Sequence, residues 1–490
     1  MSFSSASAGS RRRLCGAAFG FLALGSAGAA LADDAAADAV STEVARVDVT
    51  AAKTRPLAQD TGLAAMPYSV QDTAQAINVI PAEQLQQQHI ATLDQALRNV
   101  PGITVAIGEG GTLSGDQFKI RGQNAQDDIY VDGLRDFGVY TRDSFDIDEV
   151  QVLKGPSGAM FGRGSVGGAV NSLSKQPLLK EEVEAYGSVG NGDTYRATAD
   201  INHHFGEHAA LRVNLMANAN NVVDRDLVGS DRWGVAVAAG FGLQTDTSLV
   251  LNYVHQHDNR TPDYGITIVQ PPGQLVALPA SEYGVPRSTY LGYDTDQDRT
   301  TADIVTARFR KAFSDDLTLT SDTRLGAYHR YFQYTTIDRC DATVATNFCA
   351  TRLFGPNPET AEGGIGGGGP YDQNAWGAQN ITALRARFAV GGFRNDLIVG
   401  SDLSYQANDK TFYAYRLPPG FAYTLGNHAV SRSNIGRNLF DPIHSPPPGY
   451  EVYLPSPTDL ANSSATASTV LSSNGISADY GVFFTDRLWL

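Results

Sequence analysis

The sequence predicts a mainly β protein, an antiparallel transmembrane β-barrel preceded by a small mixed α/β domain. Three observations carry this. From about residue 183 apolar and polar residues alternate with period two, ten such segments recur, and their connections alternate between tight turns and long loops. Period two with charges on one face puts one side of a sheet in an apolar medium and the other in water. Short turns at one rim and long loops at the other mark a membrane barrel rather than a soluble sandwich. Composition agrees, with 50 Gly, 21 Tyr and 21 Phe.

The first segment, 1–32, reads as a cleaved signal peptide. Arg11, Arg12 and Arg13 precede an apolar stretch from Leu14 to Ala32 that ends Ala30-Leu31-Ala32. A basic region, an apolar core and an A-x-A site direct export. Residues 33–60 are rich in Ala, Asp and Thr without a core pattern, and read as a flexible periplasmic segment. Within it Val44, Ala45, Arg46, Val47, Asp48, Val49, Thr50 and Ala51 alternate, so they suit strand addition to a partner's sheet edge.

Residues 61–178 read as the mixed domain. Gln75–Ile80 is a strand, and Pro81 opens a helical turn. Thr92-Leu93-Asp94-Gln95 fits a capping box for a short helix that stops at Val100-Pro101-Gly102. Phe118–Gly122, Asp128–Gly133 and Asp148–Gly155 are strands ended by glycine. Residues 179–490 carry the barrel segments, near 183–190, 194–205, 209–220, 232–244, 247–257, 300–313, 317–334, 376–390, 393–407 and 475–490. The turns at 206–208, 245–246, 314–316 and 391–392 are tight. The links 221–231, 258–299, 335–374 and 408–474 are long.

A formal charge of −15 argues against nucleic acid as a partner. Cys340 and Cys349 remain after export and read as one loop-closing disulfide. His255 and His257 on one strand face, and His203-His204 near a turn, lack carboxylate spacing, so no metal site is assigned. Gly162-Arg163-Gly164-Ser165-Val166-Gly167 fits a dinucleotide fingerprint, which needs a crossover helix after the glycines. The stretch from Ala169 to Pro177 is too short for one, so the glycines are read as allowing tight backbone packing. No catalytic arrangement or cofactor is assigned, and the chain reads as a non-enzyme.

Ile120-Arg121-Gly122, Tyr130-Val131-Asp132-Gly133, Leu153-Lys154-Gly155-Pro156, the Gly-Arg-Gly-Ser run and the Lys-Gln-Pro exit occur in order. Together they resemble the plug domain of TonB-dependent outer-membrane siderophore receptors, most of all the catecholate group. The resemblance implies a barrel of about 22 strands, some ten of them covered here, whose lumen the plug closes. It implies energy-coupled uptake of a ferric siderophore across the outer membrane of a Gram-negative bacterium. The TonB-ExbB-ExbD complex would act on the box at 44–51, and the iron would be cargo rather than cofactor. It also implies that Arg121 and Arg163 face acidic residues of the barrel wall.

A ferric catecholate is anionic, flat and aromatic, so cationic and aromatic side chains suit it. Gly108–Gln117 and Arg135–Ser144 read as outward apices of the plug, and the second offers Arg135, Phe137, Tyr140 and Arg142. Tyr264, Tyr328 and Tyr331 are further aromatics near the long loops. The other readings are uptake of a hydroxamate chelate, a corrinoid or a sugar, or a passive porin. The sequence stops at Trp489-Leu490 within a strand pattern, without the family's terminal aromatic, and reads as a truncated barrel.

Overall fold

The computed structural model describes residues 61–64, 66–105, 115–156, 158, 166–337, 340–341, 348–366, 369–416, 436–456 and 472–489. The signal segment and Val44 to Ala51 therefore lie outside the described residues.

The plug begins with β1 (Ala76–Pro81), α1 (Ala82–Gln87) and α2 (Leu93–Leu97). Next come β2 (Ile103–Val105), β3 (Phe118–Ile120) and β4 (Gln123–Asn124), which pair in a small sheet of their own. β5 (Ile129–Val131), β6 (Leu134–Arg135), β7 (Ile147–Lys154) and β8 (Gly168–Ser174) complete the main sheet, ordered β1-β7-β8-β5-β6. Leu93, Leu97, Phe118, Ile120, Ile129 and Val152 fill the core beneath it. The capping box forms in a modified way. Gln95 accepts from the N–H of Ala91 at 2.9 Å, while the Thr92 hydroxyl turns to Asp94 instead of capping the helix.

β8 stands where a dinucleotide fold would place its crossover helix, and it pairs antiparallel with β7. Gly167 and Gly168 adjoin this pairing, where a Cβ would fall 2.3 Å from the Ile120 oxygen or 2.2 Å from the Leu153 oxygen. These glycines do permit close backbone approach.

The wall runs β9 (Glu182–Gly190), β10 (Thr194–Phe205), β11 (Ala209–Asn221), β12 (Gly229–Phe241) and β13 (Thr247–Arg260). β14 (Ile268–Gln270) and β15 (Leu278–Pro279) lie in a long loop, before β16 (Gln297–Ser314) and β17 (Leu317–Gln333). β18 (Thr336–Ile337), β19 (Cys340–Asp341), α3 (Phe348–Leu353) and β20 (Glu362–Gly366) occupy the next loop. β21 (Tyr371–Val390) and β22 (Phe393–Phe412) come after it. Then come β23 (Ala414–Arg416), β24 (Gly436–Asn438), β25 (Glu451–Tyr453) and the wall strand β26 (Ser472–Trp489).

Ten strands form one antiparallel sheet, each wall strand beside its neighbour in sequence. Along β11, Ala210, Arg212, Asn214, Met216 and Asn218 are buried, whereas the alternate residues Leu211, Val213 and Leu215 are less covered. Val183, Tyr195, Trp233, Phe241, Leu251, Leu325 and Trp376 are among the exposed apolar side chains of the other face. The inner face thus meets the plug, with Arg212 donating to Gln176 O at 2.9 Å, where the alternation alone implied water. No described helix is long and apolar enough to cross a membrane.

The long loops pack on one another around Val269, Ala280, Val285, Leu353, Ala361 and Leu439. Cys349 is buried in this cluster and disulfide-bonded. Cys340 pairs through its backbone with Val269, and its side chain lies outside the described residues.

Candidate functional site

The turn Asp132-Gly133 between β5 and β6 has positive φ at both residues, 53° and 78°. It reverses the chain so that the stretch after Arg135 crosses the lumen toward the wall. Here the structure departs from the sequence expectation. Arg142 and Tyr140 do not point out to ligand; they are 5% and 7% exposed. Arg142 donates from Nε to Asp136 at 2.8 Å, from Nη1 to Asp116 at 3.1 Å and from Nη2 to Gly138 O at 3.1 Å. Its guanidinium lies 4.6 Å from the centre of the Tyr140 ring. The Tyr140 hydroxyl donates to Asp136 at 2.8 Å, and Tyr328 of β17 donates to the other Asp136 oxygen at 2.7 Å. Two carboxylates, one on each expected apex, draw the cation inward. A buried charge is tolerated only when paired and hydrogen-bonded.

Burial alone would raise Asp136, but Arg142, Arg324 and the two tyrosine hydroxyls outweigh it and hold it below the usual carboxylate range. At Asp116 burial wins over Arg142, and the carboxyl is pushed up to about 6. Burial would lower Arg142, yet Asp136, Tyr140 and Asp116 together raise it.

Phe137 seats against Gly377 of β21, where a Cβ would fall 2.3 Å from its ring. Arg135 donates its backbone N–H to Gln379 at 2.7 Å, and its guanidinium lies 3.7 Å from Asp127. Of the four expected ligand residues, Arg135 and Phe137 line an open pocket between the plug crest and β22, together with Asp116, Gln126, Asp127 and Gln406.

The plug–barrel ion pairs also differ from expectation. Arg121 is exposed, its N–H bonded to Gly102 O at 2.7 Å, and its guanidinium lies by Gly155 of the plug rather than on a barrel acid. Arg121 has a positive φ of 52° in the Ile-Arg-Gly turn. Arg163 lies outside the described residues. The main clamp has reversed polarity: Asp143 of the plug takes Arg196 of β10 at 2.6 Å and Arg232 of β12 at 2.9 Å. A second pair has the expected sense, Lys175 on Asp200 at 3.0 Å.

The inward face of β17 carries Arg324, Gly326, Tyr328, Arg330 and Phe332 in steps of two toward the long loops. Arg330 donates to both oxygens of Asp298, at 2.7 and 3.0 Å, and to the Tyr371 hydroxyl at 2.7 Å. It also sits 4.4 Å from the Phe332 ring centre. Lys410 Nζ lies 4.0 Å over the Tyr371 ring. Tyr334 stacks on Phe332 at 4.7 Å and on Tyr264 at 5.2 Å. Sequence reasoning marked Tyr264 and Tyr328 but missed Arg330, Tyr371 and Lys410. Their signal was the shared parity of Tyr328, Arg330 and Phe332 on one strand face. Tyr331 has the opposite parity and lies away from this cluster.

His255 Nδ1 is 2.8 Å from Asp303. Among the described residues no three His, Cys, Asp or Glu side chains gather to hold a metal.

A plug held by buried ion pairs against an antiparallel wall, with cations and aromatic rings above it, defines a plugged-barrel architecture. Residues 69–169 match the family model of the TonB-dependent receptor plug domain. Over 263 residues the chain is 37% identical to the catecholate siderophore receptor Fiu of Escherichia coli K12, covering 52% of this chain and 34% of that one. It is 29% identical to the probable TonB-dependent siderophore receptor PiuA of Acinetobacter baumannii, over 70% of this chain and 44% of the relative. A closed-form crystal structure of the ferric-catecholate import receptor Fiu of E. coli superposes with a TM-score of 0.72 at 26% identity, over 88% of this chain and 56% of that one. The chain carries a plug domain and barrel strands similar to those of TonB-dependent siderophore receptors. It spans 34% and 44% of the length of these two curated relatives.

Proposed function

We propose that this chain serves energy-coupled uptake of a ferric siderophore of the catecholate class across the outer membrane. The observation that carries the reading is Lys410 over the Tyr371 ring on the inward face of the wall, with the buried Arg330 bonded to the Tyr371 hydroxyl. An anionic, flat, aromatic chelate gains from cations and ring faces in one place, through charge and stacking. The relative named as a catecholate receptor supports the same class. In this reading the TonB-ExbB-ExbD complex grips the strand-forming box at 44–51 by backbone hydrogen bonds, and the plug yields to that pull.

The test is growth and ⁵⁵Fe uptake in an iron-starved strain without its own catecholate receptors, carrying the full-length gene. Uptake of ferric 2,3-dihydroxybenzoyl chelates is expected, abolished by loss of TonB and competed by other ferric catecholates. Uptake of a ferric hydroxamate alone would assign the receptor to that class instead.

A further inference from the structure

The plug-crest pocket has an electrostatic character unlike the vestibule above it. Three carboxylates bear on it, Asp116, Asp127 and Asp136, against Arg135 in its lining and Arg142 behind it. The two buried carboxylates are not equally satisfied. Asp136 accepts from Arg142 and Tyr140 on one oxygen and from Tyr328 on the other. Asp116 is 4% exposed, and its Oδ2 accepts from the Arg142 N–H at 3.0 Å and from Arg142 Nη1 at 3.1 Å. Its Oδ1 is buried, with no hydrogen-bond partner among the described residues.

A buried carboxylate oxygen without a donor is costly, and native structures complete such groups with a ligand or water. Arg142 cannot turn to it without leaving Asp136 or Gly138 O. Gln126 and Gln406 line the same pocket with neutral amides, and the side chain of Asp127 is 87% exposed. An anionic catecholate ring is repelled here. The matching group is a nitrogen that carries hydrogen.

We infer that the crest pocket reads an N–H donor on the backbone of the incoming chelate, an amide or an ammonium, with Asp116 Oδ1 as acceptor. This rests on the siderophore reading of the vestibule. The chelate would bind with its anionic metal centre beside Tyr371 and Lys410 and its donor end on the plug. Asp116 then sets specificity among chelates that present the same iron-binding rings.

The test uses the purified full-length receptor and two ferric catecholates that differ only in backbone amides, secondary N–H against N-methyl. A parallel pair is made on a hydroxamate chelator. Wild type is expected to bind the N–H member about tenfold more tightly. Asp116→Asn, whose amide oxygen can still accept from Arg142 and whose NH2 takes the place of Oδ1, is expected to bring the pair within twofold, a split that a merely structural role would not give. Equal loss for both members, or a wild type that does not discriminate, overturns the inference, and the second of these decides even where the variant fails to fold. If only the hydroxamate pair binds, and the N–H member is preferred, the pocket assignment stands and the catecholate class falls.

Discussion

Arg196 of the barrel wall donates both terminal N–H groups to the two carboxylate oxygens of Asp143 on the plug, at 2.9 and 2.6 Å. Arg232 adds a third bond from Nε at 2.9 Å. The chain beside it is tied as well, since Gln256 donates to Thr141 O at 2.6 Å and accepts from the Asp143 N–H at 3.2 Å. These residues join the plug to β10, β12 and β13 at one point. Removing one partner from a buried pair strands a charge and costs about 3–5 kcal/mol. Asp143→Ala should therefore make the plug accessible to protease at lower urea in the detergent-solubilised receptor, while the barrel keeps its heat resistance. Replacing Arg196 and Arg232 as well should cost less than the separate losses added together. Strict additivity would show that the clamp does not couple plug to wall.

Asp116 gives the plug a distinctive acid response. Its folded pKa, about 6, lies above the ordinary aspartate value of 3.8 because burial outweighs the pull of Arg142, and Asp94 adds to the rise. A raised acid binds more protons in the folded state. Its contribution is thus fully present below about pH 4 and is lost as pH climbs through about 6. Asp136 has the opposite sense, present above the ordinary aspartate value and lost as pH falls through its depressed folded value. Asp146 of the plug, raised to about 7 by burial and by Asp143, adds to the same trend as Asp116. Urea midpoints of plug release between pH 4 and 7 should therefore fall with rising pH in wild type, and Asp116→Asn should lessen that slope. An unchanged slope would assign it to another group.

The barrel was legible because each wall strand has one apolar outer face. All ten sequence segments correspond to wall strands, and their tight-turn ends agree within a few residues. The segment ending at 244 overran β12 because Leu243 continues the apolar parity, although Gly242 and Gln244 already turn at φ of 63° and 61°. At the long-loop rim β13, β16, β21 and β22 extend past the segments, whereas β17 does not. Asp298 and Arg299, or Asn408 and Asp409, leave no apolar outer face to read. β8 was missed because most of it is buried on both faces, which removes the alternation. The ligand stretch was misread for a different reason. Whether Arg142 points out or in depends on Asp116, 26 residues away, and on Tyr328, whose hydroxyl reaches Asp136 from 192 residues away. Local composition carries neither fact.

The fit of Phe137 into the notch at Gly377 predicts a steric lock between plug and wall. A side chain there must displace the ring, and overpacking of this kind costs about 1–3 kcal/mol. Gly377→Val should lower the urea midpoint of plug release, and adding Phe137→Ala should restore much of it by vacating the space. Failure of the second change to rescue the first would show that Gly377 is needed for the strand itself.

Lys410 and Arg330 should separate when each is removed. Arg330 shares Asp298 with Arg260, which donates to it at 2.9 and 2.6 Å, and its own guanidinium is buried. Its loss leaves Asp298 with half of its neutralising cations, so Arg330→Ala should lower both the Tm and the affinity for a ferric catecholate. Lys410 lies half-buried over Tyr371, at the loop end of β22. A cation on an aromatic face contributes about 0.5–2 kcal/mol, so Lys410→Ala should weaken ferric-catecholate binding roughly two- to thirtyfold with little change in Tm. Fluorescence-quenching titration of both variants, beside thermal unfolding, reads the two effects apart. Full-strength binding by Lys410→Ala would remove that side chain from the ligand site.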